Sequence, residues 1–188
     1  MLVIQKMNTV FIHIPKCGGT SVRQSLREVG FDSGYPGHHT MKESIEELSS
    51  FKVKEFIVQV RNPYDRMCSA FNYMHSREVM KYRDINEWVE LLTEPGDKPR
   101  FHPKTAIKSM CNYFDQTELP IKSFKLEENT IWDYLHDMGI KCYPLKLRGS
   151  FATHTNKTLK TKEDLNEQSK YLIQQAYNVD FERFNYEY

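Results

Sequence analysis

The chain has 188 residues, enough for one domain with a substantial hydrophobic core, and we predict a single domain over residues 1–188. A charged fraction of 27% and a hydrophobic fraction of 39% are typical of a soluble globular protein, and a formal net charge of +1 argues against a general nucleic-acid-binding role. No apolar run approaches the roughly 20 residues that a membrane-spanning helix needs, so we expect no membrane span. Polar residues interrupt the first apolar run, which excludes a signal-peptide pattern and favours a cytoplasmic location.

The cysteines are scattered along the chain. Cys17, Cys68, Cys111 and Cys142 form no C-x-x-C pair, so we expect no zinc site. Without an export signal, reduced thiols are favoured over disulfides. For Cys17 two interpretations stay open, a thiol with a lowered pKa or a small residue that merely fits its loop.

The first predicted strand covers residues 10–14 and is stopped by Pro15. Gly18 and Gly19 follow directly and permit a tight turn in which backbone amides can approach an anion closely. Thr20 and Ser21 are suited to begin the helix that comes next. Such a strand, turn and helix start direct amides and the positive helix end toward a phosphate.

Lys16 adds a mobile cation to this loop. The loop does not fit the ATP- and GTP-binding pattern G-x-x-x-x-G-K-[ST], because its lysine precedes the glycines. The alternative is an ordinary strand–turn–helix with an exposed lysine.

Two histidines, His38 and His39, end the loop of residues 31–39. Thr40 and Glu43 form a capping-box pattern for the helix that follows. A helix N-terminus disfavours the imidazolium ion and favours the neutral, basic form of histidine. The pair is therefore either a solvated loop feature or the source of a general base.

A second predicted strand, residues 56–60, leads into Arg61, which stands where ligands bind in open parallel sheets. Asn62 and Pro63 predict a helix start immediately afterwards. The guanidinium group offers a planar set of donors that suits a phosphate. The alternative role for Arg61 is a surface salt bridge, for instance to Asp65.

The rest of the chain continues the alternation of strands and helices. Residues 94–103 carry prolines, a glycine and charges, and are predicted to form a loop that acts as a lid or an acceptor-side segment. Residues 123–126 are a predicted third strand, residues 141–147 a possible fourth, and a last long helix opens near Thr161. Residues 141–162 are basic, and they are either a solvated loop or a clamp for an anion.

Two motifs carry a resemblance to a known family. The stretch PKCGGTS resembles the 5′-phosphosulfate loop of sulfotransferases, which use 3′-phosphoadenosine-5′-phosphosulfate (PAPS). The stretch VRNPYDRMCSAFNY resembles their 3′-phosphate motif, in which a serine follows an arginine by eight residues, as Ser69 follows Arg61. The tail YNVDFERFNY resembles the C-terminal end of the membrane-type glycan sulfotransferases. The chain is similar to a short member of that family without an anchor, which suggests a bacterial or viral origin.

The resemblance implies an α/β fold, a P-loop-like three-layer sandwich with a central parallel sheet of four or five strands flanked by helices. It implies transfer of a sulfuryl group from PAPS to an acceptor hydroxyl, with adenosine 3′,5′-bisphosphate as the product and no metal. The implied cofactor-binding residues are Lys16, Cys17, Gly18, Gly19, Thr20, Ser21, Arg61, Ser69, Asn156, Lys157 and Lys160.

The implied catalytic residues are Lys16 and a histidine base, for which His39 is the best match and His38 the alternative. Further carboxylates that stay open for this role are Glu43, Glu46, Glu127 and Glu128. The expected acceptor is a saccharide, with a small-molecule alcohol next; the oligomeric state stays open. Two rival functions also stay open, an ATP-dependent phosphotransferase and a catalytically inactive PAPS-binding module.

Overall fold

The computed structural model describes residues 1–31, 37–76, 84–92, 108–114, 118–144 and 160–188. These residues form an α/β structure with four strands and six α-helices. In chain order the elements are β1 (Leu2–Ile4), β2 (Thr9–Ile12), α1 (Gly19–Glu28), α2 (Met41–Glu47), β3 (Glu55–Val60), α3 (Pro63–Ser76), α4 (Ile85–Leu92), β4 (Ile121–Lys125), α5 (Ile131–Asp137) and α6 (Glu167–Phe184). Short 3-10 turns lie at Gln5–Met7, Met110–Tyr113 and Lys162–Asp164. Among these elements, no helix combines the length and the apolar character that crossing a membrane requires.

The strands form one sheet in the order β1-β2-β3-β4. The predicted strands at residues 10–14, 56–60 and 123–126 correspond to β2, β3 and β4, and these three run parallel to one another. The sheet is nevertheless mixed and not purely parallel, because β1 pairs antiparallel with β2, with Leu2 opposite Phe11. The Gln5–Met7 turn reverses the chain, and Asn8 closes it in the left-handed conformation (φ 55°). A three-residue strand is too short to show a periodic pattern, so the sequence did not reveal it.

The possible strand at residues 141–147 is absent over residues 141–144, the part that the structure describes. The backbone there bonds locally: the Cys142 amide donates to the Ile140 carbonyl, and the Cys142 carbonyl lies 2.6 Å from Nε2 of His136. Ile140 and Cys142 are both buried in a hydrophobic cluster. Their alternating apolar pattern therefore reflects burial of a turn and not pairing in a sheet.

The chain divides into two compact units, of which the first comprises Met1–Arg61 and Met110–Lys146 and contains the whole sheet. One face of the sheet packs against α1 and α5 through Phe11, Ile57, Leu26 and Leu135, all fully buried. Val22, Leu26 and Val29 have the i, i+4, i+7 spacing that predicts an apolar stripe on α1, and Val22 and Leu26 are indeed fully buried. Val29 is 40% exposed, because the helix ends one residue before it.

The second unit comprises Asn62–Ser109 and Leu147–Tyr188. Its core is formed by α3, α4 and α6, with large side chains such as Phe71, Trp88 and Phe181 almost fully buried. The start of α3 agrees with its sequence signal, since the Asn62 side-chain oxygen accepts a hydrogen bond from the Tyr64 amide at 3.0 Å. Helix α3 thus begins at Pro63, with Asn62 as its N-cap.

Candidate active site

The loop between β2 and α1 has an unusual backbone. Lys16 (φ 66°) and Gly18 (φ 77°) both adopt the left-handed conformation, and α1 begins at Gly19. For a lysine this conformation costs about 1–2 kcal/mol, because its Cβ crowds the following carbonyl. Alternating backbone handedness makes a concave arrangement of N–H groups, which is the geometry of an anion-binding nest.

The amides of this loop divide into two sets. The Cys17 amide donates to the Ile14 carbonyl at 3.4 Å and the Ser21 amide to the Gly18 carbonyl at 3.0 Å. The amides of Gly18, Gly19 and Thr20 donate to none of the described residues, as expected where a helix begins. Three of the predicted residues therefore offer amides to an anion, while the amides of Cys17 and Ser21 hold the loop in shape.

The Cys17 side chain lies inside the unit and is fully buried. Its Sγ atom donates to the Pro15 carbonyl and contacts Sδ of Met110, both at 3.6 Å. Of the two interpretations of this cysteine, packing within the loop is the one that its contacts favour.

The two glycines each lie on a buried polar side chain. A Cβ atom on Gly18 would lie 2.9 Å from Oε1 of Gln59 and 2.8 Å from Cδ1 of Leu126. A Cβ atom on Gly19 would lie 2.8 Å from Nε2 of His13 and closer still to the ring carbon beside it. Gly18 is therefore required by both its backbone angle and its neighbours, and Gly19 by the His13 ring alone.

We expect Gly19→Ala to lower the free energy of unfolding by about 1–3 kcal/mol, because the new methyl group overlaps the buried His13 ring. Chemical denaturation measures this change. The matched variant is the double substitution Gly19→Ala with His13→Ala, in which the ring is gone and the methyl group has space. Additive effects of the two substitutions would show that the ring and Gly19 are not in contact.

His13 and Gln59 were not predicted as site residues. Ile12 pairs with Val58 in the parallel register of β2 and β3, so the next step along both strands brings His13 beside Gln59. His13 Nδ1 and Gln59 Oε1 are buried and make no hydrogen bond to a described residue. An unsatisfied buried polar atom costs about 1–3 kcal/mol, so two of them beneath one loop point to a site that is not optimised for stability.

His38 lies next to this loop in the same unit. Its Nδ1 atom is 2.8 Å from the His13 main-chain carbonyl, and its ring meets the His13 ring edge-on with centroids 4.6 Å apart. A carbonyl oxygen only accepts hydrogen bonds, so Nδ1 carries the hydrogen and Nε2 carries the lone pair. The structure thus selects the tautomer of His38 in which Nε2 is a base.

Burial is the largest cause that lowers the pKa of His38 below its ordinary 6.5. The Met1 amine, Arg23 and His39 add positive charge that lowers the pKa further, while the hydrogen bond to the His13 carbonyl acts in the opposite direction. The pKa of His13 is lowered to about 3, again mainly by burial. Both rings are consequently neutral near pH 7.

His39 has a different environment. Its Nε2 atom is 3.2 Å from Oε1 of Glu47 on α2, and a carboxylate at this distance takes a hydrogen from that nitrogen. The predicted capping box of α2 is confirmed, with Thr40 and Glu43 bonded reciprocally. The basic nitrogen of His39 is therefore Nδ1, which is buried, whereas the His13 carbonyl leaves Nε2 as the basic nitrogen of His38.

Arg61 extends from the end of β3 to the loop. Its Nη1 atom donates to the Lys16 carbonyl over a long distance of 3.5 Å. Two residues that the sequence assigns to separate motifs are therefore neighbours in the first unit. Their two cations, with the amides of the helix start, make this edge of the sheet suitable for a polyanionic ligand.

The remaining predicted residues belong to the second unit. Ser69 is half-buried on α3, and Asn72, one turn later, binds both backbone groups of Lys160 at 2.9 and 3.0 Å. The Lys160 amine lies 3.3 Å from a carboxylate oxygen of Asp164. Residues 160–164 are thus attached to the helix that carries Ser69. Asn156, Lys157 and the predicted lid at residues 94–103 lie outside the described residues.

Comparisons of this chain with protein-family models, with curated proteins and with solved structures gave no match.

Proposed function

We propose that this chain transfers a sulfuryl group from PAPS to a hydroxyl group of an acceptor, with saccharides as the leading acceptor class. The observation that supports this most is the loop of residues 15–18 together with the start of α1, which we call the anion-binding loop. Its three amides at the start of α1 lie beside Lys16 and within reach of Arg61. The order of these groups along the chain is that of the two sulfotransferase motifs. We propose, as part of the same assignment, the three-layer architecture of that family.

The loop would stabilise the leaving group. PAPS supplies an activated sulfuryl group on a 5′-phosphate, and negative charge gathers on that phosphate as the group departs. The amides of Gly18, Gly19 and Thr20 are fixed by the loop before the reaction, and the Lys16 ammonium group would add a positive charge, so this negative charge would be stabilised with little reorganisation. The left-handed backbone at Lys16 and Gly18 supports this role, because alternating handedness makes a concave set of N–H groups.

His38 would act as the general base. The acceptor oxygen forms a bond to sulfur while the bond from sulfur to the phosphate oxygen breaks, the electron pair leaves with the phosphate, and the hydroxyl proton passes to Nε2 of His38. Its lowered pKa keeps this nitrogen unprotonated near neutral pH, as a general base requires. The contacts of His39 with Glu47 make it the weaker candidate, although the sequence pattern favours it.

Arg61 and Ser69 would bind the 3′-phosphate of the cofactor. A guanidinium group binds a phosphate through two parallel hydrogen bonds, and a hydroxyl group adds another. ATP lacks a 3′-phosphate and would lose these contacts. The family resemblance alone assigns Asn156, Lys157 and Lys160 to the same cofactor.

A thermal-shift measurement with four nucleotides tests this function. Adenosine 3′,5′-bisphosphate at about 100 times its Kd should add roughly 2.7 kcal/mol and raise the Tm by several degrees. The 2′,5′ isomer is the matched control, because it has the same charge and a displaced phosphate. ATP with Mg²⁺ and AMP complete the set.

Stabilisation by the 3′,5′ isomer over the 2′,5′ isomer would support a PAPS site, and acceptor screening would then separate an enzyme from an inactive binding module. Stabilisation by ATP with Mg²⁺ alone would replace this proposal with a phosphotransferase. That reaction needs a metal-binding aspartate at a strand end, and β3 is followed by Arg61 instead.

A further inference from the structure

The His13 side chain lies between the anion-binding loop and the His38 ring. One edge of its ring faces Gly19 so closely that no Cβ atom fits there. Its ring also meets the His38 ring edge-on, with centroids 4.6 Å apart. His13 is only 9% exposed, so the surroundings hold this ring on several sides.

The main chain of the same residue binds His38 as well. The His13 carbonyl accepts the hydrogen bond from Nδ1 of His38 at 2.8 Å. His13 follows directly after β2, whose position is set by pairing with β3, so this carbonyl is attached to the rigid sheet. One residue therefore contacts the helix start through its ring and His38 through both its ring and its backbone.

We propose that His13 is a positioning residue, which ties His38 to the start of α1 and so keeps the base at a constant distance from the anion-binding amides. This inference rests on the proposed function, in which His38 removes the acceptor proton. In-line transfer needs the base and the anion-binding amides at fixed positions relative to each other, and a displacement of about 1 Å can cost roughly 100-fold in rate. A base carried by a loop has a fixed position only if it is attached to a rigid element.

Packing alone does not explain why a histidine, and not an aliphatic residue, stands at position 13. An apolar side chain would fill the space beside Phe11 without burying a polar atom. His13 Nδ1 instead has no hydrogen-bond partner among the described residues. The flat ring is thin enough to lie against the Gly19 backbone, and a branched side chain in its place would separate the helix start from His38.

The test replaces His13 with leucine and follows His38 directly. Histidine labelled with ¹⁵N reports the tautomer and pKa of each ring by NMR, and His38→Gln assigns the His38 signals. In the wild type we expect the Nδ1–H tautomer of His38 and a pKa below 6.5. In His13→Leu the His38 pKa should rise toward 6.5, because the branched side chain cannot take the place of the flat ring without displacing His38 from its buried position.

The other charges that face His38 stay in place in this variant. They are the Met1 amine, Arg23 on α1 and His39. His13 itself is neutral near pH 7, so its removal changes packing and solvent access and not charge. A rise in the His38 pKa therefore reports a displaced or newly hydrated ring.

Kinetics and binding complete the experiment. Release of adenosine 3′,5′-bisphosphate from PAPS, with 4-nitrophenyl β-galactoside as a simple saccharide acceptor, should fall about 100-fold in kcat. The Kd of adenosine 3′,5′-bisphosphate should change less than about threefold, because the amides themselves are retained. Should His13→Leu fail to fold, His13→Asn serves as the second variant, being too short to reach His38.

Gln59→Leu is the matched control. Gln59 lies beside His13 on the neighbouring strand, is 2% exposed and supports Gly18, yet no described contact joins it to His38. We expect this variant to leave the His38 pKa and tautomer as in the wild type. An equal shift in both variants would overturn the inference, since any disturbance beneath the loop would then suffice.

A His38 pKa and a kcat that are unchanged in His13→Leu would likewise overturn it. So would a loss of bisphosphate affinity as large as the loss of kcat, which would assign His13 to the anion-binding loop alone. Failure of the wild type to bind adenosine 3′,5′-bisphosphate would refute the proposed function instead. The NMR comparison would still decide whether His13 positions His38.

Discussion

Lys16→Met is expected to lower the rate of sulfuryl transfer by about 10²–10³-fold, the usual effect of removing one preorganised donor to a developing negative charge. Methionine keeps the length of the lysine side chain and removes its charge. The left-handed backbone at residue 16 is equally strained for both side chains, because the strain arises at Cβ. The hydrogen bond from Arg61 uses the residue 16 carbonyl and is unaffected. The variant should therefore fold as the wild type does.

Lys16→Arg is the control for this variant, because it restores a cation without reproducing the compact ammonium group. It should recover part of the rate that Lys16→Met loses. The measurements are turnover with PAPS, the Kd of adenosine 3′,5′-bisphosphate and the Tm. If Lys16→Met retained the full wild-type rate, the proposed stabilisation of the leaving group would have to be abandoned.

His38→Gln should lower kcat by about 10²–10⁴-fold, the range that a general base contributes. The matched variant is His39→Gln, which retains hydrogen-bonding capacity toward Glu47 and should change kcat far less. The reason is which nitrogen is basic: the His13 carbonyl holds the hydrogen on Nδ1 of His38 and leaves Nε2 as its base, whereas Glu47 holds the hydrogen on Nε2 of His39 and leaves Nδ1, which is buried, as its base.

The pH dependence of kcat/KM provides a second measurement of the same residue. Activity falls as pH decreases through the pKa of the base, because the protonated base cannot accept the acceptor proton. Burial and the neighbouring cations lower the pKa of His38, so the fall should occur below pH 6.5. If His39→Gln reduced kcat more than His38→Gln, the assignment of the base would be reversed.

Features that depend on a few neighbouring residues were predictable. An apolar run, Pro15 and two glycines predict the strand, the glycine turn and the helix start at residues 10–28, and the structure contains all three. The capping box of Thr40 and Glu43 and the Asn62 cap were predictable for the same reason, since each is a hydrogen bond between residues two or three positions apart. The binding of PAPS, by contrast, remains a prediction from the resemblance.

The sequence by itself therefore determined the α/β class, the two strand-to-helix junctions and the cations beside them, Lys16 and Arg61. These features depend on local backbone preferences and apolar periodicity. Only the tertiary structure decided what lies beneath the glycines and which nitrogen of each histidine is the basic one. His13 appears in the sequence as one residue of an apolar strand, and its partner His38 is 25 positions away. Strand register and the packing of a loop on a sheet bring such residues together, and neither leaves a signal at any local spacing.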